Sequence, residues 1–159
     1  EGGLQNWECT DDLCNFLLDN NQTMSGVDIL ELGCGAALPT NVALSMRADS
    51  ICVQDYHALV GKCLTTRNFE LHGHRMDGGK CAFMNGRWGG ETLGKSGQNK
   101  LGLISARETI YDQATDSARR EAMDSLLADE GKIHLAAKPH YFRRSDEVCR
   151  DSFEFVRSR

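Results

Sequence analysis

The sequence predicts an open, mostly parallel α/β sheet with helices on both faces. Three observations predict it. Short apolar runs alternate with stretches of helical spacing along the chain, the pattern of parallel strands joined by right-handed crossovers. The first clear run, Val27 to Leu32 (VDILEL), closes on Gly33-Cys34-Gly35, a strand running into a glycine turn. The second, Ile51 to Gln54, ends on Asp55, which puts a carboxylate at the tip of the next strand.

Each element has its own justification. Leu13, Phe16, Leu17 and Leu18 recur at helical spacing between Thr10 and Asp19, with the Thr10 hydroxyl available to cap the first turn. After the glycine turn, Leu38 to Met46 reads as a helix that tolerates Pro39 near its start. Beyond Asp55, Leu59 to Phe69 reads as a second crossover helix and His72 to Lys80 as a polar loop. Cys81 to Met84 and Leu101 to Ser105 give the third and fourth strands. The stretch Gly86 to Lys100 between them, rich in Gly, Ser and charge, reads as a disordered or surface insertion. Ser117 to Leu127 is a helix, Ile133 to Lys138 the fifth strand, and Asp146 to Val156 a last helix.

Bulk properties narrow the function classes. At 159 residues, with 40% hydrophobic and 26% charged residues, the chain is sized for one domain, 1–159. A net charge of −5 argues against direct nucleic-acid binding, which calls for a basic face. The pairs Arg119-Arg120 and Arg143-Arg144 read as solvated surface. Seven cysteines without a C-x-x-C pair suit neither a disulfide framework nor a zinc site, so the expectation is reduced thiols, no metal, and a cytoplasmic or nuclear setting. No apolar run approaches the ~20 residues of a membrane span, so no membrane partner is expected.

The glycine turn and Asp55 together suggest a nucleoside pocket, in which Asp55 takes the ribose hydroxyls about 20 positions after the turn. Dinucleotide binding begins with the same G-x-G. Leu38, however, stands where that fingerprint has a third Gly or Ala, and its side chain would obstruct close helix packing around a pyrophosphate. S-adenosylmethionine has no phosphate to cradle. Its sulfonium and amino groups favour carboxylates and aromatic faces, which gives Glu31 a role at the start of the turn.

Several further strings occur in one order: Gly2-Gly3-Leu4 with Trp7-Glu8-Cys9-Thr10, Gln54-Asp55-Tyr56, Gly86-Arg87-Trp88, Glu108-Thr109-Ile110-Tyr111 and Lys138-Pro139-His140-Tyr141-Phe142. With them the chain resembles the histidine protein methyltransferases, part of a wider group of seven-β-strand protein methyltransferases of which many are lysine-specific. The resemblance implies a Rossmann-like class I methyltransferase fold with S-adenosylmethionine as cofactor. It implies that Asn6, Trp7, Glu8, Cys9 and Thr10 lie along the cofactor and that Gly33 and Gly35 give it backbone room. Gln54, Asp55 and Tyr56 would handle ribose and adenine, with Gly86, Arg87 and Trp88 flanking the adenine. The acceptor implied is a protein histidine, on a ribosomal or translation-related protein.

The chain departs from the family at Arg107, where a serine is usual, at Gly102 in place of an acidic residue, and at Arg143-Arg144 in place of a glycine-rich turn. By the resemblance these positions bear on the cofactor's edge and the substrate mouth, and the departures leave a drifted specificity open. Five strands are legible where the fold has seven, and the last two need roughly another 40 residues. The domain is therefore expected to be incomplete at its C-terminus.

Methyl transfer from a sulfonium is an in-line displacement that asks mainly for alignment and exclusion of water. A neutral imidazole, with a pKa of about 6.5, offers its lone pair at neutral pH. Glu108 reads either as the carboxylate that stabilises the charge developing on the imidazole or as a glutamate at a helix start. Tyr111 reads as a wall of the acceptor channel or as packing. His140, after the fifth strand, reads as a site residue or a structural histidine. Two alternatives stay open: a lysine methyltransferase of the same group, and a non-catalytic binding module that kept the fold.

Overall fold

The computed structural model describes residues 6, 8–20, 23–76, 79–88, 100–109 and 116–138. The expected helix at 146–156, and Arg143-Arg144, lie outside them.

Among the described residues five strands form one sheet: β1 (Asp28–Leu32), β2 (Ser50–Asp55), β3 (Cys81–Asn85), β4 (Leu101–Arg107) and β5 (Leu127–Ala136). All pairings are parallel, in the order β3-β2-β1-β4-β5. Chain order reverses at β1, which pairs with β2 on one side and β4 on the other, so a crevice opens at the carboxyl ends of these strands.

Alternation along the strands builds two cores. Ile29, Ile51, Val53 and Leu103 point to one face and pack with Leu17 of α1 (Cys9–Asp19), Ala43 of α2 (Leu38–Ser45) and Phe69 of α4 (Thr66–Leu71). Leu30, Leu32, Ile104 and Ala106 point to the other and pack with Ala122 and Met123 of α5 (Asp116–Leu126). Strands covered on both faces read as near-continuous apolar runs, and each large side chain so buried contributes about 1.5–3 kcal/mol.

Four details differ from the sequence reading. Helix α1 starts at Cys9 with Glu8 at its cap position and no side-chain cap bond, while Thr10 lies inside the first turn, fully buried. The crossover after β2 is not one regular helix: α3 (Ala58–Val60) passes through a π-helical turn, Gly61–Thr65, into α4. Strand β5 begins at Leu127, six residues early, because Leu127 pairs with Leu101 before the register slips and resumes at Lys132 opposite Leu103. Arg119 is not solvated surface. It is 2% exposed and donates from Nη1 to the Thr109 carbonyl at 2.7 Å.

Candidate active site

The turn from Gly33 to Ala37 joins the carboxyl end of β1 to α2, at the strand where chain order reverses. Gly33, Gly35 and Ala37 have φ of 64°, 47° and 52°, left-handed conformations that glycine adopts freely and alanine rarely. At Gly33 a Cβ would also lie 3.1 Å from Thr109 Cγ2, so the end of β4 closes on the turn.

Gln54, at the end of β2, ties three segments together although it is 1% exposed. Its Oε1 accepts from the Gly33 amide at 3.2 Å and from Trp88 Nε1 at 2.9 Å, and its Nε2 donates to the Gly86 carbonyl. Asp55 Oδ2 accepts from the Gly35 amide at 3.0 Å and Oδ1 from the His57 amide at 3.1 Å. Each oxygen keeps a second lone pair for a further donor. Just outside, Tyr56 is 54% exposed and the Arg87 guanidinium lies 5.8 Å from its ring centroid, within cation–π range.

Behind the turn, Glu31 is wholly buried, accepts from the Thr40 hydroxyl and pairs with Arg107, whose Nη2 also donates to the Cys34 carbonyl. From its place at the start of the turn, Glu31 is expected beside a ligand cation. In the structure its charge is met from within, by Arg107. Burial pushes the Glu31 carboxyl up, against the opposing pull of Arg107 and Thr40.

At the far end of the crevice the start of α1 meets the ends of β4 and β5. Glu108 has φ of 50°, an uncommon left-handed conformation for glutamate at the exit of β4, and its amide bonds the Ala136 carbonyl at 2.9 Å. The next described helix begins at Asp116. Cys9 is hydrogen-bonded to Glu108, and burial first and Glu108 second push its thiol up to about 12. Glu8 pairs with Lys138 at 3.1 Å. Three buried hydroxyls, of Thr10, Ser105 and Thr109, have no hydrogen-bond partner among the described residues.

The structure thus brings Glu31, Gly33, Gly35, Gln54, Asp55, Gly86, Trp88 and Arg107 into one network, and Glu8, Cys9 and Glu108 into a second group. Asn6 is exposed. Trp7, Tyr111 and His140 lie outside the described residues. Gly102 has a local explanation: a Cβ there would lie 3.1 Å from Val27 Cγ1.

A family profile described as "Lysine methyltransferase" matches residues 2–150. The chain belongs to this methyltransferase family. It is 31% identical over 143 residues to a Dictyostelium discoideum protein named histidine protein methyltransferase 1 homolog, covering 89% of this chain and 45% of that one. The homolog of the same name from Rattus norvegicus is 31% identical over 166 residues, covering 89% and 46%. The chain therefore spans less than half the length of these two curated relatives. The crystal structure of ribosomal protein L11 methylase from Lactobacillus delbrueckii subsp. bulgaricus shares the fold, with a TM-score of 0.62 at 17% identity over 82% of this chain and 61% of that one. The expected Rossmann-like methyltransferase fold is the one observed.

In this methyltransferase domain, sequence reasoning missed Thr65, Asn68, Arg119 and Thr40, the last of which donates to Glu31. Thr65 and Asn68 reach the glycine turn from the helix after β2, and Arg119 reaches Thr109 from α5. The only signal for the first two was their position on the helix that comes after Asp55; for Arg119 there was none.

Proposed function

We propose that this chain forms the donor-binding part of an S-adenosylmethionine-dependent protein methyltransferase that modifies a histidine side chain. The observation that carries the reading is the 3.0 Å bond between the Gly35 amide and Asp55 Oδ2, which joins the glycine turn and the β2 carboxylate in one crevice. The 31% identity to proteins named as histidine methyltransferases supports histidine as the acceptor.

The residues present fit the donor. Gly33 and Gly35 hold the turn in the left-handed conformation that brings its amides to Gln54 and Asp55, and Asp55 keeps lone pairs for two ribose hydroxyls. The exposed face of Tyr56 suits an adenine. The buried hydroxyls of Thr10, Ser105 and Thr109 are polar groups in want of a partner, at a cost of about 1–3 kcal/mol each when none is found.

S-adenosylmethionine, when bound, supplies a methyl group already activated on a sulfonium. The protein's part is to orient the acceptor and exclude water. An imidazole with a pKa of about 6.5 arrives mostly neutral. Glu108, 8% exposed at the mouth of β4, stabilises the positive charge that develops on the ring. Tyr111 and His140 complete the acceptor side in this reading, and Trp7, Glu8, Cys9 and Thr10 the donor side. The acceptor protein belongs to the ribosome or the translation apparatus, and the free cysteines among the described residues support a cytoplasmic or nuclear setting.

A lysine acceptor is the second reading, favoured by the description of the matching family. It asks more of the site, since an amine near 10.4 must first lose a proton. Incubating the chain with labelled donor and an extract lacking the activity, then locating the label by mass spectrometry, separates the two. Methyl-histidine is expected. Methyl-lysine replaces the first reading by the second, and failure of the chain to bind the donor in calorimetry removes both.

A further inference from the structure

Consecutive carbonyls of the turn are each held from behind by a different side chain. Arg107 Nη2, from β4, donates to the Cys34 carbonyl. Thr65 Oγ1, from the π-helical turn, donates to the Gly35 carbonyl at 2.6 Å. Asn68 Nδ2, one turn along in α4, donates to the Ala36 carbonyl at 2.8 Å. On the other side the Gly33, Cys34 and Gly35 amides are taken by Gln54 and Asp55. The turn that would carry the donor is therefore pinned through both its amides and its carbonyls.

Helix geometry makes the second and third contacts possible. The π turn inserts an extra residue and so rotates α4 about the helix axis, a feature that recurs at functional sites. At Gly61 a Cβ would lie 2.3 Å from Phe83 Cζ, so only glycine lets the helix come this close to β3. The approach places Thr65, wholly buried, against the turn, where Cys34 Sγ also lies 3.7 Å from its hydroxyl.

We propose that Thr65 and Asn68, together with Arg107, are positioning residues of the donor site, holding Gly33 to Ala37 in its binding shape before any ligand arrives. The inference rests on the donor-binding reading above. A turn with three left-handed residues has many competing conformations when free, and ordering them on binding would cost affinity. A turn ordered in advance spares that cost.

The test uses the full chain and two readouts: amide hydrogen exchange at Cys34, Gly35 and Ala37 without ligand, and calorimetric titration with S-adenosylhomocysteine. Thr65→Val keeps shape and loses the hydroxyl, and Asn68→Asp keeps shape and loses the donor. Each is expected to speed exchange in the turn and weaken binding about tenfold, which corresponds to about 1.4 kcal/mol. Thr65→Ser, which restores the hydroxyl, is expected to match the parent in both. Asn68 is only partly buried, so its variant serves if Thr65→Val fails to fold. Unchanged exchange, or faster exchange with unchanged affinity, overturns the proposal, as does a serine variant as impaired as the valine. If the parent chain does not bind S-adenosylhomocysteine, the donor-binding reading falls, while the exchange readout still decides whether Thr65 and Asn68 hold the turn.

Discussion

Arg107 and Glu31 form an ion pair hidden from solvent, with Nε 3.4 Å from Oε1 and side chains 2% and 0% exposed. Neither of those two atoms makes a hydrogen bond, so the pair is a charge contact completed by Thr40 on one side and the Cys34 carbonyl on the other. Taking two charges out of water costs several kcal/mol per ion, and removing one partner leaves that cost uncompensated. Arg107→Met should therefore lose about 3–5 kcal/mol of unfolding free energy, read from urea titration. Adding Glu31→Gln should recover most of the loss. A single variant close to the parent would show that the charges contribute little.

Gln54 should be as intolerant of an apolar substitute. Gln54→Leu strips partners from the Gly33 amide, the Gly86 carbonyl and Trp88 Nε1. With unsatisfied groups costing about 1–3 kcal/mol each, a loss of at least about 2 kcal/mol is expected. In a Trp7→Phe background the remaining emission comes from Trp88, and it should move to longer wavelength as the indole loosens. An unshifted spectrum would mean that Trp88 is held by packing alone.

Thiol labelling should follow burial. Among the described cysteines Cys63 is exposed, while burial pushes the Cys14 and Cys52 thiols to about 11, Cys9 to about 12 and Cys34 well above its ordinary value. The thiolate is the nucleophile, so iodoacetamide at mildly alkaline pH should modify Cys63 first and Cys34 last among these. A peptide time course by mass spectrometry checks the order. Early labelling of Cys34 would reveal a turn that opens readily.

His134 gives the protein part of its acid sensitivity. Burial, then the Lys132 charge, holds its imidazole below the ordinary value, and its ring stands edge-on to Phe16 at 5.1 Å. An imidazole harder to protonate when folded gives stability that is fully present above the unfolded pKa of about 6.5 and is lost as pH falls below it. His74, lowered by burial and by His72, adds a contribution of the same sign. Urea unfolding from about pH 7 down to about pH 5 should show stability falling, with a shallower slope in His134→Gln. Parallel slopes would assign the sensitivity elsewhere.

Strands β1 to β4 were legible because strands buried on both faces leave apolar runs that end where the backbone turns. The start of β5 was not, since Ala128-Asp129-Glu130-Gly131 has the composition of a turn. It is a stretch where the register slips, with Gly131 so close to the Leu101 carbonyl that a Cβ would lie 2.8 Å away. The π turn was hidden because one extra residue barely disturbs a helical pattern over so short a segment. In the site, the nearness of Asp55 to the glycine turn could be read from spacing, but not its bond to the Gly35 amide. Arg107 could be recognised as a departure, but its partner could not, because Glu31 lies far away in the chain and meets it only once β1 and β4 are side by side.

That pairing also governs when the molecule can first exist. β1 is the middle strand, yet Ile29 finds its second neighbour only in Leu103. During synthesis at about 5–20 residues per second, Leu103 is made several seconds after Ile29. Until then β1 presents an open hydrogen-bonding edge, vulnerable to pairing with other nascent chains. Slower translation of the intervening segment, or expression as separate halves, should therefore favour aggregation over assembly.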